Sequence, residues 1–347
     1  MILAGGVGSR FWPVSTPGRP KQLLPLASER PLIRDTVDRI VPLVPQERLR
    51  ILTGGHLAEP ILATLPELGP GNLLLEPAAK GTAPVLAWAA AEIERRDPDA
   101  VMVSLHSDHV IHPPEAFRAL IARAAELAAG HRRLFTIGAV PTRPETGYGY
   151  VRTGAELPAL ETAPEGEPGY QVARFVEKPD RATAEGYLAS GDYLWNTGLF
   201  VWRAGDLLDE IERVSPELAE LVPIVREGGT EEFFARAPNL SVDHAVLERS
   251  ARVGVVRATF AWDDVGAWDA VARTRGVESP GNCLVGDAYA VQSAGTTIYA
   301  EDGPVVAFGV EDLVIVRTRG ITFVAHRDRS PELKALLAEL PERLRNL

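Results

Sequence analysis

The sequence predicts an α/β protein whose main domain carries a mainly parallel mixed sheet, followed by a small β-rich C-terminal domain. Over residues 1–139, apolar strand segments alternate with helical segments, the pattern of parallel sheets with helix-covered faces. After residue 282, short strand segments follow one another closely. A chain of 347 residues can hold a large domain and a smaller one, and we expect them at residues 1–276 and 277–347.

Within residues 1–139, the strands are expected at MILA, LRILTGG, NLLLEP, AVMVSLHSD and LFTIGAV. Helices are expected between them at SERPLIRDTVDRIV, HLAEPILATLPEL, TAPVLAWAAAEIERR and PEAFRALIARAAELAA, where apolar residues recur at helical spacing. Ser28 and Thr82 are the predicted N-caps of the first and third of these helices. Ligands of parallel sheets bind beyond the carboxyl ends of the strands, where the glycine-rich segment and the segment HSDH both fall.

The regular alternation of strands and helices is lost between about residues 145 and 275. Strands are expected at YQVARFVEKP and LWNTGLFVWR, and helices at GDLLDEIERV and DHAVLERS. Beyond SPGN, at residues 279–282, the expected strands are DAYAVQS, TTIYA, GPVVAFG, DLVIVRT and ITFVAH, followed by the helix SPELKALLAELPERL. No catalytic residue stands out in this C-terminal domain.

The composition limits the classes of partner. A net charge of −11 argues against a nucleic-acid partner, and an anionic substrate would need a local cluster of cations. The sequence has no apolar run long enough for a membrane span and no basic-then-apolar leader, so neither a membrane segment nor a signal peptide is expected. A single cysteine, Cys283, excludes an internal disulfide and is typical of a reducing cytoplasm.

Lysine is used sparingly. Of the 36 basic residues only four are lysines, at positions 21, 80, 178 and 334. Arginine therefore serves wherever a general surface cation is needed. A retained lysine is better explained by a confined site that needs a compact point charge rather than a wide guanidinium.

The glycine-rich segment after the first strand predicts an anion site. Gly5, Gly6 and Gly8 allow successive backbone N–H groups to face a phosphate, with Arg10 as a bidentate clamp and Lys21 returning to the same place. The segment is not a Walker loop, because no Gly-Lys-Ser/Thr follows, and it lacks the third glycine of a dinucleotide fingerprint. The alternative is a tight turn without a ligand.

The segment HSDHVIHP places three histidines around Asp108. Zinc is one interpretation of His106, His109 and His112, but spacings of three do not share one face of a strand. We favour Asp108 as a hard oxygen ligand for magnesium, which prefers one or two carboxylates together with substrate phosphates. A solvated loop aspartate is the third alternative.

A second carboxylate comes from the segment WDDVGAW. Asp263 and Asp264 stand between tryptophans, and Gly266 allows a close turn. We assign Asp264 to the metal. The alternative is that the acidic pair caps the helix GAWDAVART.

These motifs together resemble the sugar-1-phosphate nucleotidylyltransferases. LAGGVGSRFWPVS and RPKQLLPL are similar to the nucleotide signature of that family, EPAAKGTAP to its second nucleotide loop, and SDHVI to its metal segment. VPTRPETGYGYV, FVEKP and WNTGLFVW resemble its sugar and phosphate contacts, and SVDHAVLE and FAWDDVGAW complete the set. The resemblance covers nearly the whole chain and implies a Rossmann-like catalytic domain with a C-terminal left-handed β-helix-like domain.

The resemblance also implies roles for individual residues. The nucleotide is expected against Ala4, Gly5, Gly6, Gly8, Glu76, Lys80, Thr82, Pro84 and Ser107. The cationic catalytic groups are expected to be Arg10 and Lys21, on the phosphates that leave as pyrophosphate, and Lys178, on the sugar phosphate. The hexose is expected against Gly147, Glu177 and Asn196, and Mg²⁺ against Asp108 and Asp264. The chain departs from the family pattern at Lys80, where Arg is common, and at Gly81, where Asn is more usual.

The implied reaction is the transfer of GMP from GTP to α-D-mannose 1-phosphate, which gives GDP-mannose and pyrophosphate. RPKQ, TRPETGYGY and WDDVGAW favour this branch over transfer of another nucleotide to glucose 1-phosphate. An inert subunit that senses nucleotide sugars is a further alternative, but it should have lost Lys21, Asp108 or Asp264. We expect a cytoplasmic enzyme without nucleic-acid or membrane partners, and a homodimer is the oligomer to test.

Overall fold

The computed structural model describes residues 1–6, 8–160, 166–277 and 281–345. Val7 of the glycine-rich segment and residues 279–280 of SPGN lie outside these ranges. The strands of the main domain are β1 (Ile2–Leu3), β2 (Ile51–Gly54), β3 (Leu73–Glu76), β4 (Val101–His106), β5 (Val110–His112), β6 (Leu134–Ala139), β7 (Gly149–Glu156), β8 (Gly169–Glu177), β9 (Tyr193–Arg203), β10 (Val253–Arg257) and β11 (Ala261–Asp263). The later strands are β12 (Cys283–Val291), β13 (Thr297–Phe308), β14 (Leu313–Thr318) and β15 (Ile321–His326).

Helices connect these strands and cover the sheet. The α-helices are α1 (Leu32–Ile40), α2 (Ala58–Thr64), α3 (Thr82–Glu94), α4 (Pro114–His131), α5 (Arg181–Ser190), α6 (Ala204–Val214), α7 (Pro216–Ala219), α8 (Val222–Arg226), α9 (Thr230–Arg236), α10 (Asp269–Arg275), α11 (Leu333–Glu339) and α12 (Glu342–Arg345). Short 3₁₀-helices include Ser9–Phe11, Lys21–Leu23 and Arg327–Glu332, and a π-helix covers Asp243–Leu247. Within the described ranges, none of these helices combines the length and apolar character that crossing a membrane would require.

The main sheet has nine strands in the order β3-β2-β1-β4-β9-β6-β10-β8-β7. β3, β2, β1 and β4 run parallel to one another, and β10 runs parallel to β6. The long strand β9 is antiparallel to both β4 and β6, and β7 and β8 continue the antiparallel part. The predicted mixed sheet is therefore confirmed, but it is not mainly parallel: four of its nine strand pairings are parallel and five are antiparallel.

The register of the parallel strands determines what meets at the carboxyl edge of the sheet. Leu3 at the end of β1 lies beside His106 at the end of β4. On the other side, β2 ends beside Glu76 of β3. The glycine-rich segment, the segment HSDH and Glu76 therefore emerge together, as ligand-binding edges of α/β sheets require.

Two hydrophobic cores fill the two faces of this sheet. One packs α3, α6 and the π-helix against it, and the alanine-rich stretch Ala87–Ala91, interrupted by Trp88, allows α3 to approach closely. The other packs α1, α2 and α4 on the opposite face. Strands β2, β6, β9 and β10 are buried almost throughout, which explains their near-continuous apolar sequences, whereas β8 alternates with exposed residues.

A third core joins the beginning and the end of the chain. It contains Phe11, Trp12 and Val14 after the glycine-rich segment, Val265 and Trp268 before α10, and residues of β12–β15 and α11. β12, β13 and β14 pair in parallel, and β15 closes the sheet antiparallel to β14. The C-terminal unit is therefore packed directly against the segment that follows β1.

Several local expectations were wrong. Thr82 begins α3, but its hydroxyl accepts a bond from the Val242 amide, and Gly81 occupies the N-cap position. Helix α1 begins only after Pro31, and Ser28 bonds Asp35 instead of capping the first turn. TTIYA and GPVVAFG form one strand, β13. At Thr82, a contact from another part of the chain overrides the local signal.

The first prediction tests the third core. Phe323 of β15 packs edge-on against Trp12, with ring centroids 5.8 Å apart, and it is 7% exposed. Phe323→Ala should lower the free energy of unfolding by about 3–5 kcal/mol, because it leaves a cavity under Trp12. Thermal or urea unfolding measures the change. The neighbouring Val324 is 55% exposed, so Val324→Ala should change stability by less than about 0.5 kcal/mol; equal losses in the two variants would contradict the packing account.

Candidate active site

The glycine-rich loop follows β1 directly and turns at Gly8. Gly8 has a φ of +71°, and a Cβ atom there would lie 2.3 Å from Cβ of Lys21. Glycine is therefore required both by the left-handed backbone and by the stem of Lys21. A Cβ atom at Gly5 would lie 3.0 Å from the Glu76 carboxylate. Because these positions are glycines, the side chains of Lys21 and Glu76 can both approach the end of β1.

Lys21 is the buried cation of the site, with its side chain 8% exposed. Its Nζ lies 2.9 Å from Oδ2 of Asp108 and donates to the backbone carbonyl of Asp264 at 2.6 Å. The ammonium also lies 5.8 Å from the ring centroid of Phe11. A single compact charge therefore joins three segments of the chain, which is the role that the sparing use of lysine predicts.

The two aspartates reach Lys21 through a small two-stranded sheet. β5 follows Asp108 and pairs antiparallel with β11, which ends immediately before Asp264. Burial opposes ionisation of Asp108, but Lys21 and the neighbouring histidines outweigh it and lower the pKa of this carboxyl to about 2. Burial instead raises the pKa of Asp264. The pKa values of the two carboxyls are therefore shifted in opposite directions, downward at Asp108 and upward at Asp264.

Asp263 and Asp264 have different surroundings. The carboxylate of Asp263 accepts from the Val265 amide at 2.8 Å and pairs with Arg273 at 2.9 Å, so it holds the turn before α10. Asp264 instead accepts at Oδ1 from the Tyr148 hydroxyl at 2.6 Å and lies in the site. Neither aspartate caps α10, because Trp268 occupies the N-cap position and no side chain bonds the first turn. Asp263 holds the preceding turn, and Asp264 lies beside Lys21.

Tyr148 is a site residue that the sequence analysis did not single out. Its hydroxyl donates to Asp264 and accepts from Arg143 at 3.1 Å. Its ring packs edge-on against Trp195 and Trp262, at centroid distances of 5.2 and 5.1 Å. Arg143 also lies over the Trp195 ring at 5.0 Å. The aromatic cluster therefore fixes the direction of the Asp264 carboxylate.

The histidines are closer together than their sequence spacing suggested. The rings of His106 and His109 stack at 4.6 Å, and potential ligand atoms of His106, Asp108 and His109 lie within 4.8 Å of one another. The strand rule does not apply to this pair, because His106 ends β4 and His109 lies in the turn before β5. However, the indole N–H of Trp262 donates to Nδ1 of His109 at 3.1 Å, so a neutral ring there carries its proton on Nε2. That proton disfavours the zinc interpretation, and His112 is exposed on β5.

A pocket of about 350 Å³ opens beside the glycine loop. Predicted nucleotide residues line it: Ala4, Gly5, Gly6, Glu76, Thr82 and Ser107, together with Asp108. Gly8, Lys80 and Pro84 are not among its lining residues; Gly8 lies behind the loop against Lys21, and Pro84 is buried in α3. Burial raises the pKa of Glu76. A larger cavity of about 780 Å³ lies at the opposite edge of the sheet and contains none of the predicted site residues.

Position 81 carries glycine where the family more usually has asparagine, and the local backbone explains this difference. Gly81 has a φ of +79°, and a Cβ atom there would lie 2.6 Å from the backbone oxygen of Leu240. Leu240 in turn accepts from the Ala83 amide and donates to the Lys80 carbonyl, both at 3.0 Å. An asparagine at position 81 would therefore force the segment around Leu240 to move, and glycine is the residue that this backbone allows.

The predicted sugar residues lie together at the end of β8 and in β9. Lys178 Nζ bonds Oε1 of Glu177 at 2.6 Å, whereas Oε2 of Glu177 is buried and accepts no hydrogen bond from the described residues. A Cβ atom at Gly149 would lie 2.6 Å from that oxygen. Asn196 is 9% exposed. The amide of Gly147 is bonded to Glu145 at 3.1 Å, so a ligand at Gly147 would compete with that contact.

Two predicted cations point to solvent. Arg10 is exposed and forms no hydrogen bond or ion pair with the residues that the structure describes. The side chain of Lys178 is 62% exposed, and its backbone has a φ of +47°. The charge of Arg10 is therefore available to an anionic ligand, whereas Lys178 is paired with Glu177 and Lys21 with Asp108.

The chemistry of the donor set fits a hard divalent cation. Asp108 bonds Lys21 through Oδ2, and Asp264 bonds Tyr148 through Oδ1. Each carboxylate keeps a second oxygen for which the described residues provide no hydrogen-bond donor. Oxygen ligands of this type, completed by substrate phosphates and water, suit Mg²⁺.

Comparison with known proteins agrees with this geometry. The nucleotidyl transferase family model matches residues 1–275. The chain belongs to the nucleotidyl transferase family. A second model, described as a MannoseP isomerase/GMP-like β-helix domain, matches residues 286–340. The family's α/β catalytic domain and a β-helix-like C-terminal domain are therefore both present.

Several known proteins match this chain over almost its full length. The chain is 38% identical over 357 residues to the mannose-1-phosphate guanylyltransferase of Klebsiella pneumoniae, covering 100% of this chain and 74% of that protein. It is 38% identical over 356 residues to the protein of the same name from Escherichia coli, covering 99% and 74%. A crystal structure from Thermus thermophilus, described as a mannose-1-phosphate geranyltransferase, superposes with a TM-score of 0.87, at 33% identity and 97% coverage of both chains.

The second prediction separates the two neighbouring aspartates of this nucleotidyl transferase. Asp264→Asn keeps the side-chain shape but removes the charge, so it should weaken Mn²⁺ binding at least tenfold and reduce transfer activity by a hundredfold or more, the order expected for one lost electrostatic stabiliser. Mn²⁺ affinity is measured by calorimetry. The control is Asp263→Asn, which breaks the Arg273 contact and should lower thermal stability while Mn²⁺ affinity stays within about twofold of the parent. Loss of Mn²⁺ binding in the control alone would move the metal to Asp263.

Proposed function

We propose that the protein transfers GMP from GTP to α-D-mannose 1-phosphate, forming GDP-mannose and pyrophosphate. The observation that carries the proposal is the meeting of Lys21, Asp108 and Asp264 beside the glycine loop, at the sheet edge where this family binds its substrates. The choice of mannose and guanosine rests on the names of the full-length relatives at 38% identity.

The proposed reaction needs charge neutralisation more than proton transfer. An oxygen of the sugar phosphate is already an anionic nucleophile, so no side chain has to remove a proton from it. That oxygen forms a bond to the α-phosphorus of GTP while the bond to the leaving pyrophosphate breaks in line. The task of the protein is to align two anions that repel each other and to stabilise the charge on the leaving group.

The two anionic substrates, GTP and mannose 1-phosphate, would bind to different cationic side chains. Arg10 and Lys21 stand at the glycine loop, where the leaving phosphates are proposed to bind, and Arg10 is free to form a bidentate contact. Lys178 lies on the far side, beside the sugar residues Glu177 and Asn196, and would orient the attacking phosphate. The nucleotide pocket would be formed by Ala4, Gly5, Gly6, Glu76, Thr82 and Ser107. Roles for Gly8, Lys80 and Pro84 rest on the resemblance alone, because none of them lines this pocket.

We propose Mg²⁺ as the cofactor, held by Asp108 and Asp264. When bound, the ion would offset the negative charge of the phosphates at the reacting centre. Lys21 then keeps a role of its own, since it holds Asp108 ionised and fixes the backbone of Asp264. Tyr148 donates to Oδ1 of Asp264, which would leave Oδ2 for the ion.

We also propose that the catalytic domain spans residues 1–276 and the β-helix-like domain residues 277–347, and that the enzyme is cytoplasmic. The change from the main sheet to the sheet of β12–β15 supports this division. Both domains contribute to one core, so they are expected to unfold together. A homodimer remains a prediction from the resemblance.

The direct test is pyrophosphate release with each of five nucleoside triphosphates, including GTP, against mannose 1-phosphate and glucose 1-phosphate. GTP with mannose 1-phosphate should give the highest kcat/KM, EDTA should abolish the activity, and added Mg²⁺ should restore it. A higher kcat/KM with glucose 1-phosphate would make the protein a different hexose-1-phosphate nucleotidylyltransferase. Binding of GDP-mannose without pyrophosphate release from any pair would support the regulatory-subunit alternative.

The next prediction concerns the geometry of Lys21. Lys21→Arg keeps the charge but replaces the ammonium by a planar guanidinium in a space bounded by Gly8 and by two oxygens at 2.6 and 2.9 Å. We expect kcat to fall at least tenfold, because the larger group displaces Asp108 or Asp264. The matched control is Arg181→Lys on α5, where the side chain is 76% exposed and activity should be unchanged. A Lys21→Arg variant with parental kcat would show that charge alone is sufficient.

A further inference from the structure

The segment SVDHAVLE, residues 241–248, runs between the second nucleotide loop and the predicted sugar residues. It begins beside the second nucleotide loop, where the amide of Val242 donates to the Thr82 hydroxyl at 2.9 Å. It then forms the π-helix Asp243–Leu247, an unusual element that is frequent at functional sites. Its other end reaches the sugar residues, since Oε1 of Glu248 accepts from the Glu177 amide at 3.1 Å. One short segment therefore supports both proposed subsites.

Asp243 is the residue of this segment that faces the sugar subsite. Its Oδ1 accepts from Nδ2 of Asn196 at 3.0 Å. The other end of the Asn196 amide is occupied as well: Oδ1 accepts from the Thr136 hydroxyl at 2.8 Å and from the Gly198 amide at 3.3 Å. These three partners allow only one orientation of the amide.

The fixed amide has a defined hydrogen-bonding capacity. Both lone pairs of the Asn196 oxygen are used, and one of its two N–H groups is used by Asp243. The remaining N–H can only donate. Nearby, Oε2 of Glu177 is buried without a hydrogen-bond donor among the described residues, so it can only accept. Among the described residues, this region therefore has one donor and one acceptor without a partner, a pattern that matches two neighbouring sugar hydroxyls.

We propose that Asp243 is a positioning residue of the sugar subsite, which holds the Asn196 amide as a hydrogen-bond donor and thereby sets the affinity for the hexose. This inference rests on the proposed function, because it assigns the Glu177–Asn196 region to the sugar. Asp243 acts through Asn196 and is not a catalytic residue. Burial, reinforced by the nearby Glu177 carboxylate, raises the pKa of Asp243 to about 6, which agrees with its place beside an acceptor-rich pocket.

The test compares two substitutions at position 243. Asp243→Ala removes the acceptor and frees the Asn196 amide to rotate, so the KM for mannose 1-phosphate should rise about tenfold, the order expected for one buried hydrogen bond. Asp243→Asn retains an oxygen that can accept from Asn196, so its KM should stay within about threefold of the parent. The Kd for GTP, measured by calorimetry, should stay within about twofold in both variants.

A purely structural role would give a different result. It would lower the melting temperature and the active fraction, and hence the apparent kcat, without a selective rise in KM and without rescue by Asn. The matched control is His244→Ala, because His244 is the exposed neighbour on the same π-helix and should leave KM, kcat and GTP affinity unchanged. If Asp243→Ala does not fold, Asn196→Asp provides the same test, since it places a carboxylate against Asp243 and should weaken sugar binding while GTP binding persists.

Titration of GDP-mannose into the parent keeps this inference distinct from the proposed function. A parent that binds neither GDP-mannose nor mannose 1-phosphate would overturn the proposed function itself. A parent that binds GDP-mannose, with Asp243→Ala binding it equally well, would overturn only the role of Asp243. Equal loss of GTP and GDP-mannose in Asp243→Ala would also overturn it, because the segment would then hold the nucleotide loop rather than the sugar.

Discussion

The burial of a single lysine ammonium is the constraint on which the rest of the site depends. Lys21 loses most of its contact with water and donates instead to the carboxylate of Asp108 and to the backbone carbonyl of Asp264. That arrangement requires a glycine at position 8, since any side chain there would occupy the space of the Lys21 stem. It also requires β1 and β4 to be parallel neighbours, so that the loop and Asp108 leave the sheet side by side.

The C-terminal unit contacts the part of the chain that lies between the glycine-rich loop and Lys21. Arg19, two residues before the lysine, pairs with Glu301 of β13 at 3.0 Å, and Arg319 donates to the Val14 carbonyl at 2.7 Å. Trp12 packs between the main domain and β15. The residues that bring Lys21 back to the glycine loop are therefore fixed by a domain that carries no predicted catalytic group, which gives that domain a structural role in the site.

Local sequence signals predicted the strands, their alternation with helices and the motifs at the strand ends, because apolar periodicity and glycine placement depend on neighbouring residues. They did not reveal Tyr148, whose partner Asp264 is 116 residues away, or Asp243, which bonds Asn196 across 47 residues. Neither residue belongs to a spacing pattern with its partner. Thr82 shows the same limit, since a typical capping residue is recruited by a distant backbone amide.

The location of the divalent cation tests the central claim most directly. Crystals grown with Mn²⁺ and a non-hydrolysable GTP analogue would give an anomalous signal at the metal. The account predicts one strong peak within coordination distance of the carboxylates of both Asp108 and Asp264 and of a phosphate oxygen, with Lys21 beside it. A peak on Asp263, or one between His106 and His109 without Asp264, would contradict it.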